Sequence, residues 1–258
     1  MSIPHLILIE LGNSCTRVAP AKDGELGAVT RLEGGDLDAT MAAIHQTQRE
    51  LGTPCPILLA SVEQSREALL SPQLASLGEV YRLGEDLPVP IQQDLDPEAM
   101  TGIDRLLAAT AAWDAMQQAC IVVDAGTAIT VDFVDGAGVF HGGAIAPGAS
   151  LQLQSLHQHT DALPALTPAS PPAEPFGRST SDAIHLGVAA AMQGIVHVLI
   201  ERYASHYEAL PPVIITGGDA TTYFADDPFV DRIVPDLTLR GMLVSARTAL
   251  GTPTGDDA

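Results

Sequence analysis

An α/β protein of two duplicated halves facing one another across a cleft is the architecture this sequence predicts. Three observations carry that expectation. First, a strand that ends in an acid, turns at a glycine and returns as a second strand occurs twice. Glu10-Leu11-Gly12-Asn13-Ser14 and Asp124-Ala125-Gly126-Thr127-Ala128 share an acid-x-Gly-polar core. Second, each copy opens a three-stranded meander. Third, helices alternate with strands after each meander, the order that lays helices over a largely parallel sheet. The two halves are expected at 1–117 and 118–258.

In the first half, Leu6 to Glu10 reads as a strand, and Thr16 to Pro20 and Glu25 to Leu32 complete the meander. A helix is expected over Asp36 to Leu51, with Asp36 or Asp38 as its cap. Ile57 to Val62 reads as a strand, Glu63 to Leu74 as a helix with Ser61 as a candidate cap, and Glu79 to Leu83 as a short strand. Prolines 88, 90 and 97 mark Glu85 to Ala99 as loop. Leu106, Leu107, Ala109, Thr110, Trp113 and Met116 give the next helix, from Thr101 or Gly102 to about Gln118, an apolar face. In the second half, Cys120 to Val123, Ile129 to Val134 and Val139 to Ile145 read as strands. A helix follows from Gly148 to about His159. Leu163 to Pro175, rich in Pro, Ala and Ser, is a surface loop. Ser179 or Thr180 caps a helix to about His206. Val213 to Thr216 and Asp231 to Val234 are strands around a short helix ending at Phe224. Leu237 to Leu250 closes the chain, and Gly251 to Ala258 is a polar, frayed tail.

Composition narrows the function. Twelve basic residues against 32 acidic ones leave a net charge of −20, and Lys22 is the only lysine. Such a surface repels nucleic acid and anionic membranes. No GK[ST] occurs, which excludes a P-loop. Any phosphate site must rely on backbone amides, hydroxyls and bound cations. Cys15, Cys55 and Cys120 are odd in number and lack CxxC spacing, which fits a reducing cytoplasm. No apolar run reaches the ~18–20 residues of a membrane span, and the N-terminus lacks the pattern of a signal peptide. The eight histidines form no HxxxH or HExxH pattern; they are expected to be solvated or structural.

Four stretches can carry chemistry, each with a plainer explanation beside it. The Asp124 turn places a carboxylate, a glycine and the Thr127 hydroxyl where a phosphate and a cation can approach, but it also fits an ordinary capped hairpin. Gly102-Ile103-Asp104-Arg105 sits at a helix N-terminus, which favours anions. Asp104 can accept a proton there and Arg105 can fork onto a carboxylate; helix capping and a surface arginine explain the same residues. Gly177-Arg178-Ser179-Thr180 can cap a helix, bind a ligand, or do both. Thr216-Gly217-Gly218-Asp219-Ala220 lets a flat ligand approach the backbone, or is a strand-to-helix turn.

Taken in order, these stretches, with Gly142-Gly143-Ala144-Ile145-Ala146-Pro147-Gly148, resemble the type III pantothenate kinases, from about residue 6 to 247. The paired DxGTAxTxD and GxDR motifs are the specific part. The resemblance implies two duplicated ribonuclease-H-like domains, the actin-like fold of the acetate and sugar kinase/Hsp70/actin superfamily. It also implies ATP-dependent phosphorylation of pantothenate, in the first step of coenzyme A synthesis, by a cytoplasmic homodimer. By that resemblance Asp104 is the general base. Gly102, Ile103, Asp104 and Arg105 bind pantothenate, with Arg105 on its carboxylate, and Thr180 reaches pantothenate from the partner subunit. Glu10, Leu11, Gly12, Asn13, Ser14, Cys15, Thr16 and Arg17 form the first ATP phosphate loop, and Thr127 is a second phosphate contact. Asp124 holds a monovalent cation, potassium or ammonium, and Mg²⁺ accompanies ATP. The chain departs from the family pattern in four places. Glu10 stands where Asp is usual. Gln93-Asp94-Leu95 stands where a Tyr is usual. Leu106 replaces a common Trp, and Ser179 replaces Asn or Asp. The alternative is a catalytically impaired relative acting as a ligand-binding or regulatory protein.

Overall fold

The computed structural model describes residues 5–52 and 54–251; the tail expected beyond Gly251 lies outside them. Two compact units form, each around its own sheet. The first unit holds a sheet built on β1 (Leu6–Leu11), β2 (Cys15–Lys22), β3 (Glu25–Leu26), β4 (Thr30–Glu33), β5 (Ile57–Ser61) and β6 (Val80–Arg82). Its strand order is β3-β2-β1-β5-β6, with β4 also on β2. β1 pairs antiparallel with β2 and parallel with β5.

Apart from Glu10, the strand β1 is apolar because both its faces are covered. Leu6 and Leu8 enter one cluster, while Ile7, Ile9 and Leu11 enter another on the opposite face. The second cluster lies under α1 (Leu37–Leu51) and α2 (Gln64–Ala75). Asp36 caps α1, its Oδ1 accepting from the amides of Asp38 at 2.9 Å and Ala39 at 3.1 Å. The α2 cap differs from expectation. Glu63, not Ser61, accepts from the helix amides, those of Ser65 at 3.2 Å and Arg66 at 2.7 Å. Ser61 Oγ instead accepts from the Glu63 amide at 3.2 Å. Glu63 stands two residues nearer the helix, and its side chain reaches the amides of the first turn.

The second unit repeats the plan. β8 (Cys120–Ala125), β9 (Ala128–Val134) and β10 (Val139–Pro147) form the antiparallel meander, and β11 (Val213–Thr216) and β12 (Arg232–Ile233) add parallel strands. The order β12-β11-β8-β9-β10 matches the first sheet strand for strand. A further strand, β7 (Gln92–Gln93), pairs parallel with β10. This two-residue strand falls inside the loop expected over Glu85 to Ala99; no periodicity marks so short a piece. Over this sheet lie α4 (Ala149–Gln158), α5 (Thr180–Tyr207) and α6 (Ala220–Phe224). The helix α5 is long and apolar enough to cross a membrane by length and composition. Its Val188, Ala189, Met192, Val196 and Ile200 are buried in the core of the second unit. No helix or strand occurs over 163–175. Two histidines hold this loop, His157 Nδ1 2.9 Å from the Leu163 carbonyl and His185 Nε2 3.2 Å from that of Thr167.

The units are not contiguous in sequence, unlike the halves expected at 1–117 and 118–258. The main division falls between Asp114 and Ala115, Gln92–Pro97 belongs to the second unit, and α7 (Leu237–Gly251) belongs to the first. The reason for the last is packing. Leu239, Met242, Leu243 and Ala246 of α7 complete the cluster formed by Leu6, Leu8, Leu58 and Leu107. Leu107 lies on α3 (Ile103–Met116), and a Cβ at Gly241 would collide with its backbone carbonyl. Gly241→Val is therefore expected to destabilise the protein by about 1–3 kcal/mol through overpacking, read as a lower urea midpoint at unchanged slope.

Candidate active site

The duplicated turns occupy the same place in each sheet. Glu10 and Asp124 are each the penultimate residue of the first strand of their meander, opposite a parallel partner, Ala60 on β5 or Thr216 on β11. Their antiparallel partners differ, and this separates their environments. Glu10 faces Arg17 in register and Asp124 faces Thr130. Glu10 is 4% exposed, and its Oε1 accepts from Arg17 Nη2 at 2.5 Å. Asp124 is half-buried. A buried carboxylate needs such a partner, because desolvation of an unpaired charge is prohibitive. Glu10 and Arg17 thus meet on the strands, and Gly12-Asn13-Ser14 forms the turn itself. That turn is closed by the Gly12 amide donating to the Cys15 carbonyl at 3.0 Å.

Arg66, in the first turn of α2, is a residue that sequence reading missed. Its Nη2 donates to the carbonyls of Gly12 at 2.5 Å and Asn13 at 2.9 Å, and its Nη1 to Thr16 Oγ1 at 3.2 Å. Its Nε is held by Glu63 Oε2 at 3.1 Å. No local pattern links positions 50 or more apart, so the sequence offers no signal for it.

At the start of α3, the Gly102 carbonyl accepts from the amides of Arg105 at 3.2 Å and Leu106 at 3.4 Å. The Asp104 carboxylate folds back over this N-terminus, its Oδ1 accepting from the Arg105 amide at 2.9 Å. A Cβ on residue 102 would run into that same Oδ1, so glycine is what lets the carboxylate lie there. Ile103 points the other way. It packs on Gly84 and joins the core cluster with Leu107, so its side chain anchors the helix and only its backbone faces the turn.

In the second unit, three glycines converge on the Asp124 turn. The Gly126 amide donates to the Ala128 carbonyl at 3.1 Å and closes the turn. The Gly148 amide donates to the Thr127 carbonyl at 3.0 Å, and a Cβ there would meet the carbonyls of Gly126 and Thr127. Gly217, with φ +99°, lies against the Ala125 carbonyl and Asp124 Oδ1. The Asp219 amide donates to the Ala125 carbonyl at 2.9 Å, and burial pushes the Asp219 carboxyl up. The motifs at 124–128, 147–148 and 216–219 are therefore one cluster.

Ser179 is the cap of α5, its Oγ accepting from the Asp182 amide at 3.1 Å. Thr180 follows on an exposed rim and lines a cavity of about 780 Å³ with Pro147, Leu151, Leu156, Ile184 and Val188. Asp94, next to β7, is held by His141, whose Nδ1 lies 3.2 Å from it and whose Nε2 lies 2.8 Å from Asp135. Among the described residues no group of three or more His, Cys, Asp or Glu is placed to hold a metal ion.

All three cysteines are free thiols. Burial, then the Glu33 charge, pushes the half-buried Cys15 thiol up, and burial pushes Cys120 up to about 12. The thiolate is the nucleophile. Iodoacetamide at pH 8 is therefore expected to label Cys15 alone, slowly, and to spare the buried Cys55 and Cys120. Peptide mass mapping reads the result.

The profile of the type III pantothenate kinases matches residues 6–202. A type III pantothenate kinase from Gluconobacter oxydans is 41% identical over 152 residues, which span 59% of this chain and 56% of that one. Another from Thiobacillus denitrificans is 34% identical over 246 residues, 93% of this chain and 96% of that one. Among solved structures, a ROK family glucokinase from Streptomyces griseus, in complex with glucose and AMPPNP, superposes with a TM-score of 0.54 at 10% identity. The match covers 95% of this chain and 99% of the glucokinase. The mixed α/β architecture with its two matching sheets is the actin-like fold of these sugar kinases.

Proposed function

The chain belongs to the type III pantothenate kinase family, and from that membership we propose that it transfers the γ-phosphoryl group of ATP to the terminal hydroxyl of pantothenate. The product, 4′-phosphopantothenate, enters coenzyme A synthesis. In the transfer, the substrate oxygen forms a bond to Pγ, the bond from Pγ to the β,γ-bridging oxygen breaks, and ADP leaves. The hydroxyl proton goes to Asp104. Such a transfer needs alignment and charge compensation more than covalent help.

The α3 N-terminus carries this reading: the Asp104 carboxylate is fixed over Gly102, accepting from the Arg105 amide. Arg105 forks onto the pantothenate carboxylate, a pairing whose two parallel bonds fix the substrate's direction. The amides of the Gly12-Asn13-Ser14 turn and the Thr127 hydroxyl take the phosphates. Glu10 and Arg17 brace the first turn as an ion pair. Asp124, half-buried beside the Gly126 turn, offers hard oxygen donors that fit a monovalent cation and not a soft metal. A bound cation there, with the Mg²⁺ of MgATP, offsets phosphate charge that one lysine cannot. Thr180, left free of capping by Ser179, contacts pantothenate across a homodimer. Three free thiols suit a cytoplasmic location.

A coupled assay of ADP release tests the reading. Turnover is expected only with pantothenate and Mg²⁺, and is expected to rise with potassium. Turnover indifferent to pantothenate defeats it.

A further inference from the structure

We propose that Arg66 is a positioning residue for nucleotide binding: it sets the peptide planes of the Gly12-Asn13-Ser14 turn so that their amides face the phosphates. This rests on the reading of that turn as the phosphate loop. In a planar trans peptide the C=O and the following N–H point in opposite directions. Whatever holds a carbonyl therefore also aims the next amide. Arg66 Nη2 gathers the carbonyls of Gly12 at 2.5 Å and Asn13 at 2.9 Å. The amides of Asn13 and Ser14 are thereby turned to the side away from Arg66, and both residues are exposed there. Consecutive amides presented in this way make an anion-binding concavity.

Two further contacts lock the same geometry. The Gly34 amide donates to the Ser14 carbonyl at 3.2 Å, so three successive carbonyls of the turn are engaged from the protein side. Gly35, at φ +72°, brings its backbone against the Arg66 side chain. A Cβ there would lie 2.9 Å from Arg66 Cδ and 3.1 Å from its Nε. The guanidinium is thus confined between Glu63, the Gly34-Gly35 turn and the loop it supports, with its side chain 14% exposed. Only a forked donor reaches Gly12, Asn13, Thr16 and Glu63 together; an ammonium is a single point.

Calorimetric titration of ATP with Mg²⁺ into wild-type, Arg66→Ala and Arg66→Lys protein tests the proposal, alongside KM for both substrates. Arg66→Ala is expected to weaken ATP binding and raise its KM by about tenfold or more, with KM for pantothenate unchanged. Arg66→Lys is expected to show a smaller loss of the same kind, and added methylguanidinium to restore part of the affinity of Arg66→Ala. Should Arg66→Ala fail to fold, Arg66→Lys carries the same readout. ATP affinity unchanged in the folded variants, or equal losses for both substrates, overturns the proposal. A wild-type chain that binds ATP without phosphorylating pantothenate defeats the kinase reading separately, and Arg66 is then judged on binding alone.

Discussion

Asp104→Asn is expected to lower kcat by about 10²–10⁴-fold, the usual contribution of a positioned general base. The amide keeps the shape of the carboxylate and can still accept from the Arg105 amide, a bond now at 2.9 Å, so the start of α3 should survive. On the proposed mechanism, what it loses is the capacity to take the pantothenate hydroxyl proton. Binding of ATP and of pantothenate, measured by calorimetry, is therefore expected to change little while ADP release falls. A variant with wild-type turnover removes Asp104 from the chemistry. A parallel test comes from the glycine beside it. Gly102→Ala pushes a Cβ into the space of Asp104 Oδ1, so it should reduce kcat with little change in thermal midpoint, because only the end of one half-buried side chain has to move.

Gly217→Ala carries the second large effect, and here stability and activity fall together. At φ +99° an L-residue is strained, and the new methyl group would collide with the Ala125 carbonyl and Asp124 Oδ1. Relief requires the turn after β11 to part from the end of β8, and the Asp219 amide bond to Ala125 at 2.9 Å then goes with it. A loss of about 1–3 kcal/mol is expected from strain and overpacking, together with loss of most ATP turnover. Gly218→Ala is the stability control. A Cβ there meets nothing within 4 Å, so its urea midpoint should match that of the parent. Equal midpoints for the two variants would sink the account of the Asp124 cluster.

Much of the fold was legible because local rules suffice for it. Leu6 to Ile9 is apolar at every position because each of its two faces meets a separate cluster. Asp36 announces α1 because a short acidic side chain is what the first free amides accept. The acid-x-Gly-polar turns at Glu10 and Asp124 stand out because a tight turn next to a strand end restricts which residues can occupy it. Their recurrence anticipated two sheets of the same strand order. The candidate residues Asp104, Asp124 and Thr127 were visible in the same way, as polar groups placed where a strand or helix ends.

The chain read alone therefore indicated most of the elements, their order and the duplication, together with the family those motifs resemble. Tertiary structure decided what each motif touches. It put Arg17 opposite Glu10 and left Asp124 facing Thr130, so that two matching carboxylates have different surroundings. It brought Gly148 and Gly217 against the Asp124 turn, gave α7 to the first unit, placed β7 beside β10, and laid Arg66 under the loop at Gly12. Apart from the two hairpin pairings, each of these is a contact between residues far apart in the chain. Periodicity and capping describe only neighbours within a turn or a strand, whereas a guanidinium or a bare Cα finds its partner through packing in three dimensions.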